Sequence, residues 1–222
     1  MDCDSSRTGA EKHTDRDGFM AALAQRHGWE NQEKLSRSVV GIAGLGGLGS
    51  HIAVSLARLG IGRLVLADYD RVDMTNLHRQ QYAFHQVGME KPKALAEELR
   101  RINPFSVYET HFTSVTPENV ETLFGRCQVV CEAFDQPEEK AMLTETVLTV
   151  LDGIPLVAAS GMAGMDSGNK IRTERVMKNF YLCGDGVSDV SLSGSLTEPR
   201  VALCAAHQAL MVLRLLLGNE EP

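Results

Sequence analysis

The stretch Ser38–Gln81 reads SVVGIAGLGGLGSHIAVSLARLGIGRLVLADYDRVDMTNLHRQQ, and its interpretation decides the fold. Val39 to Ala43 is a short apolar run of the kind found in strands buried on both faces. It leads directly into Gly44-Leu45-Gly46-Gly47-Leu48-Gly49-Ser50, after which apolar residues recur at helical spacing (Ile52, Leu56, Leu59). A second apolar run, Arg63 to Ala67, ends at Asp68, 24 residues after Gly44. Strand, glycine turn, helix, strand and terminal acid make a mononucleotide-binding βαβ unit. Gly44 suits the tight turn, Gly46 lets backbone amides approach a phosphate, and Gly49 allows close helix–strand packing. The helix opening near Gly47 aims unpaired N–H groups at that phosphate. Asp68 is placed to accept hydrogen bonds from a ribose. Taken alone, this stretch reads as an NAD or FAD site.

The continuation changes that reading. Asp68-x-Asp70-x-Val72-x-x-x-Asn76-Leu77-x-Arg79-Gln80 puts two acids, an amide and a guanidinium into one loop. The loop lies at the carboxyl end of a strand, where open α/β sheets bind ligands. A guanidinium there suits a triphosphate, which its planar fork grips with two hydrogen bonds. The alternative for Arg79 is a solvated charge salt-bridged to Asp70 or Asp73.

Together, the glycine signature and this second motif resemble the ThiF/MoeB/HesA group, bacterial relatives of the ubiquitin-activating enzymes. The resemblance runs from about Gln32 to the C-terminus and points to the compact branch linked to thiamine biosynthesis. It is reinforced by Gly88-x-x-Lys91 and by a helix ending Ile102-Asn103-Pro104. The resemblance implies that Lys91, rather than Lys93, contacts phosphate, although charged helix starts are commonplace. It also places the family's magnesium-binding aspartate on Asp135, after the strand predicted within Cys127–Phe134. Asp135 could instead cap the helix from Pro137 onward, or do both.

The implied fold is α/β, a Rossmann-like doubly wound, mostly parallel sheet with helices on both faces and a small C-terminal β extension. The implied activity is adenylyl transfer from ATP with Mg²⁺. The substrate is the C-terminal Gly-Gly carboxylate of a small ubiquitin-like sulfur carrier protein, and the products are an acyl-adenylate and pyrophosphate. Gly44, Gly46, Gly47, Gly49, Asp68, Asp70, Asn76, Arg79 and Lys91 would bind the nucleotide. Arg79, Lys91 and Asp135 would carry the chemistry, with Asp135 on the metal. A homodimer is also implied, with the last helix and the N-terminal segment as contacts. An Arg that reaches the partner subunit's ATP falls near Met20 in this chain, which cannot make that contact; Arg16 and Arg26 are the candidate substitutes. Two other readings remain at this stage: a nucleotide-binding scaffold coupled differently, and an NAD-dependent oxidoreductase.

The rest of the chain sets bounds. With 22 Lys+Arg against 29 Asp+Glu, the formal charge is −7, so no broad nucleic-acid surface is expected. The sequence has no 18-residue apolar run and no apolar leader, so neither a membrane span nor a secretory signal is expected. Five cysteines without regular spacing suit reduced thiols and a cytoplasmic protein. No C-x-x-C pair supports structural zinc. Residues 1–17 read as a disordered arm and 18–222 as one ATP-binding domain.

Short helices are expected over Gly18–His27 and from Pro117 to Phe124, and a longer one over Glu138–Leu151. Strands are expected over Ser106–Thr113 and Pro155–Ser160. Gly161–Gly168 is a glycine-rich loop that would cover the site or receive a tail. Lys170–Asp185 is expected to form two short strands outside the main sheet as a lip, with Cys183 as the most exposed thiol. Cys127 and Cys131 read as core side chains. Pro199–Leu217 is apolar nearly all round, so it is buried in the sheet or in a dimer interface, with His207 packed rather than catalytic.

Overall fold

β1 (Val39–Ala43) is an inner strand of the sheet, with almost every side chain out of water. In the computed structural model, which describes residues 15–222, two helices precede it: α1 (Arg16–His27) and α2 (Trp29–Arg37). Then follow α3 (Gly47–Arg58), β2 (Arg63–Asp68), α4 (Lys91–Ile102), β3 (Val107–Phe112), α5 (Val120–Phe124) and β4 (Val129–Glu132). The second half contains α6 (Pro137–Val150), β5 (Leu156–Ala159), β6 (Arg172–Met177), β7 (Phe180–Gly184), α7 (Val190–Ser193) and α8 (Glu198–Leu216). The expected disordered arm lies outside the described residues up to residue 14. The last residues of that expected arm are ordered as a helix start: Asp15 caps α1 by accepting from the Gly18 amide at 2.8 Å, and Arg16 and Asp17 lie in its first turn.

The seven strands lie in the order β3-β2-β1-β4-β5-β7-β6, all parallel except the β6 edge. Alternation along β1 separates the two faces. Val40 and Ile42 join Ile52, Leu56, Leu95, Leu99 and Cys204 in the core beneath α3, α4 and α8. Ala43 joins Phe124, Leu143 and Val147 beneath α5 and α6. Gly41 sits on that second face because a Cβ there would lie 2.5 Å from the Phe124 ring. Each fully buried Ile or Leu contributes about 1.5–3 kcal/mol relative to exposure, and this double layer is what holds the strand ends in place.

Two expectations change here. The segment Lys170–Asp185 is not a lip outside the sheet: β7 pairs in parallel with β5, and β6 closes the sheet as an antiparallel edge. The reason is that β5, buried along its whole length, needs a hydrogen-bonding neighbour on its second side. Cys183 consequently points into the core, fully buried, and burial pushes its thiol up to about 11. The apolar character of α8 is used within the subunit. Val201, Cys204, Ala205, Ala209, Met211 and Val212 are buried where α8 packs on α3 and the sheet, and buried Gln208 donates to the carbonyls of Glu132 and Val157. α8 is the one described helix long and apolar enough to cross a membrane, and this packing accounts for that composition. His207 meets the Thr173 hydroxyl at 3.0 Å, and burial lowers its pKa. Cys127 and Cys131 are buried, as expected.

Candidate functional site

The strand order reverses between β1 and β4, and a cleft of about 540 Å³ opens at their carboxyl ends. Its floor is the glycine turn. Gly44 has φ +86°, and a Cβ on it would lie 2.7 Å from the Ala133 carbonyl. A Cβ on Gly49 would lie 1.9 Å from the Gly44 carbonyl, so helix and turn meet backbone to backbone. Gly46 differs, since a Cβ there would find nothing nearer than Gln80 Nε2 at 3.7 Å. Its open side is therefore available for ligand approach. α3 begins at Gly47 with no side-chain cap, which leaves its first amides free for an anion.

The acids and cations of the second motif are held by a small backbone clasp. Val72 N donates to Met89 O (2.8 Å), Gly88 N to Val72 O (2.8 Å) and Lys91 N to Asp70 O (3.0 Å). This lays the start of α4 against the loop after β2. Lys91 Nζ, almost completely buried, lies 2.7 Å from Asp70 Oδ2 and 4.0 Å from Asp68 Oδ2. Asp68 accepts from the Leu45 amide (2.6 Å) and the Asp70 amide (2.7 Å), tying the end of β2 to the glycine turn. Burial raises its pKa, with Lys91 and these amides opposing. Tyr82 donates to Leu45 O at 2.7 Å and fixes the same turn from the other side.

Arg79 closes the 3-10 turn Met74–Arg79. The turn is started by Asp73, whose carboxylate accepts from the Thr75 amide at 2.8 Å. Among the described residues Arg79 makes no ion pair: Asp70 is taken by Lys91, and Asp73 is the cap. The salt bridge to Asp70 or Asp73 considered from sequence is therefore not formed. The guanidinium lines the cleft half-buried, and burial lowers its pKa against the pull of Asp135. Asn76 and Asp70 line the same wall.

Asp135, exposed, stands across the switch point, three residues beyond β4. It does not cap α6, because the N-cap position is Gln136, without a side-chain bond. Capping as a second role for Asp135 is thereby removed.

All ten candidate residues line the cleft or, in the case of Gly49, build its floor. Others were not foreseen. Gln80 is 8% exposed with its Oε1 unpartnered, beside Gly46; its place next to Arg79 in the second motif was the available signal. Glu139 and Tyr69 add to the acidic side, with burial and then Asp135 raising the Glu139 pKa. Lys140 enters the cleft edge while donating to buried Glu132 (2.8 Å) and to Phe134 O (3.1 Å). Met162 and Ala163, from the glycine-rich loop expected to cover the site or receive a tail, also line the cleft, and Ser188 to Val190 join them unforeseen. No spacing rule connects those segments to the glycine turn. α1 contributes nothing to the cleft lining, and Arg16 and Arg26 are exposed on it.

Comparison with known proteins bears on the family and the fold. The ThiF family model matches residues 20–222. The chain belongs to the ThiF family. Among curated relatives, "Adenylyltransferase and sulfurtransferase MOCS3" of Xenopus laevis is 39% identical over 136 residues, 61% of this chain and 30% of its own length. MOCS3 of Anopheles gambiae is 32% identical over 206 residues, 87% of this chain and 44% of its own. The chain thus spans less than half the length of these relatives. Among solved structures, E. coli tRNA N6-threonylcarbamoyladenosine dehydratase TcdA in complex with AMP superposes with a TM-score of 0.80 at 25% identity. The match covers 89% of this chain and 93% of TcdA. The Rossmann-like sheet is therefore the fold of this ThiF-family chain.

Proposed function

We propose that this ThiF-family chain is an ATP-dependent adenylyltransferase. It activates the C-terminal Gly-Gly carboxylate of a small ubiquitin-like sulfur carrier protein. The observation that carries the reading is the pairing of an uncapped, glycine-lined helix start with two cations, Arg79 and Lys91, in the lining of one cleft. A hydride-transfer site needs neither cation. The family match and the adenylyltransferase names of the relatives support the same choice.

In this reading the triphosphate lies over Gly46 and the start of α3, gripped by Arg79 and Lys91. The ribose is held at Asp68, which keeps lone pairs free beyond its two amide bonds. The carrier's carboxylate oxygen attacks the α-phosphorus, the bond from that phosphorus to the β-phosphate bridging oxygen breaks, and pyrophosphate leaves. The nucleophile is already an anion, so the protein supplies position and charge neutralisation rather than a base. Among the described residues no three acidic, His or Cys side chains gather as a metal cage. An exposed carboxylate beside a triphosphate site nevertheless fits Mg²⁺, which is typically held by one or two carboxylates plus phosphate oxygens and water. Asp135 would hold it, and the ion would neutralise charge on the phosphates.

The carrier of thiamine biosynthesis is the first to try. A homodimer and a cytoplasmic location go with this reading, and chromatographic mass measurement tests the first. A second reading has one observation behind it: Met20 stands where the family's cross-subunit Arg is expected. Under that reading the chain binds nucleotide as a scaffold without activating a carrier. ATP–pyrophosphate exchange separates the two. Exchange that requires the carrier and stops when its last glycine is removed supports adenylylation, and ATP binding without exchange supports the scaffold.

A further inference from the structure

Arg200 lies in the first turn of α8 with 5% of its surface exposed, and its guanidinium joins two loops that are far apart in sequence. Nη1 donates to the carbonyls of Asp166 (2.6 Å) and Ser167 (3.1 Å), and Nε to that of Met162 (3.4 Å). Nη2 donates to Asp185 Oδ2 at 2.6 Å. Asp185 accepts in turn from the amides of Val187 (3.0 Å) and Ser188 (2.8 Å), and from the Ser188 hydroxyl. The two paired side chains are 6% and 2% exposed. Backbone bonds run alongside them: Asp185 N to Gly161 O (2.9 Å) and Gly186 N to Ser160 O (3.1 Å).

A buried ion pair is weak evidence of stabilisation, since apolar packing often does as well. A planar fork bonded to two loops does something apolar packing cannot, because it fixes their relative position. Both loops line the cleft, one through Met162 and Ala163 and the other through Ser188, Asp189 and Val190. The groups suited to nucleotide all come from residues 44–91 and from Asp135, whereas these two loops follow β5 and β7. In-line attack on the α-phosphate requires the nucleophile to arrive opposite the departing pyrophosphate, and these loops are a part of the cleft lining that carries no cation for phosphate.

We propose that Arg200 is a positioning residue for the second substrate: it fixes the wall of the cleft along which the carboxylate-bearing tail is laid. This rests on the adenylylation reading above. Main chain and small side chains at Gly161, Ala163 and Ser188 suit a glycine-ended tail, which itself offers only backbone to recognise.

The test uses Arg200→Lys in the full chain. Lysine keeps the charge toward Asp185 but cannot span both loops. Three quantities are read: Mg·ATP affinity by calorimetry, the carrier KM in pyrophosphate exchange, and hydrogen exchange of 161–167 and 185–190. The expected result is unchanged ATP affinity, a carrier KM raised by about tenfold or more, and joint loss of protection in the two segments with α3 unaffected. If Arg200→Lys does not fold, Arg200→Gln combined with Asp185→Asn removes both charges together, leaves none unpaired and carries the same expectation. An unchanged carrier KM, or ATP affinity falling in step with it, overturns the proposal. Absence of exchange in the unaltered chain with every carrier overturns the adenylylation reading itself, and this inference with it.

Discussion

The two walls of the cleft are built by different means. The wall from residues 44–91 is made by regular structure: a strand end, a glycine turn, an uncapped helix and a backbone clasp that sets Lys91 against Asp68 and Asp70. The other side is made by two loop segments, 161–163 and 188–190, joined by one buried guanidinium and by backbone hydrogen bonds from Asp185 and Gly186. A phosphate is the same in every nucleotide, so a fixed backbone cradle suits it. A protein tail varies with its partner, and loops positioned on a rigid scaffold are where such recognition concentrates.

The largest expected effect is on the first wall. Lys91→Ala should lower pyrophosphate exchange by about 10²–10³-fold, as for the loss of one preorganised charge at a reacting centre. The turn itself should persist, because Asp68 remains bonded to the Leu45 and Asp70 amides. Next come the glycines. Gly49→Ala would drive a methyl against the Gly44 carbonyl, and chemical unfolding should show a loss of about 3 kcal/mol. Gly46→Ala meets no such obstacle. It should melt like the unaltered chain yet bind ATP at least about tenfold more weakly, or 1.4 kcal/mol. Equal stability losses for the two variants would break the distinction drawn between these glycines.

This contrast also explains what was legible in advance. The first wall could be read because its parts are contiguous: spacing alone links Gly44 to Asp68, and one loop carries Asp70, Asn76, Arg79 and Gln80. Of the second wall only the glycine-rich loop 161–168 could be read, because nothing in sequence relates Asp185 to Arg200 or Met162, and their meeting depends on β7 entering the sheet beside β5. The same strand pairing overturned the expected exposure of Cys183. A five-residue run, FYLCG, carries no mark that separates a lip from an inner strand. Asp135 was found because acids after strand ends are placed by topology. Its capping role failed because α6 starts from Gln136.

Smaller effects test the second wall. Burial disfavours ionisation of Asp185, but the hydroxyl and amide of Ser188, the Val187 amide and Arg200 outweigh it and hold its carboxyl at about 2. A folded value below the unfolded one, about 3.9, means its stabilisation is complete above that pH and is lost as pH falls toward 2. Urea melts across this window should show a steeper loss for the unaltered chain than for Asp185→Asn. The smallest effect concerns Cys183. With its thiol buried and raised to about 11, alkylation near neutral pH should reach it only on unfolding, and Cys183→Ala should exchange pyrophosphate normally.

The most direct measurement is ATP–pyrophosphate exchange by Arg79→Ala, at saturating Gly-Gly-tailed carrier and Mg²⁺, alongside carrier binding followed by fluorescence anisotropy. The division of labour described here predicts exchange reduced by orders of magnitude with carrier binding intact. Normal exchange by Arg79→Ala would contradict it.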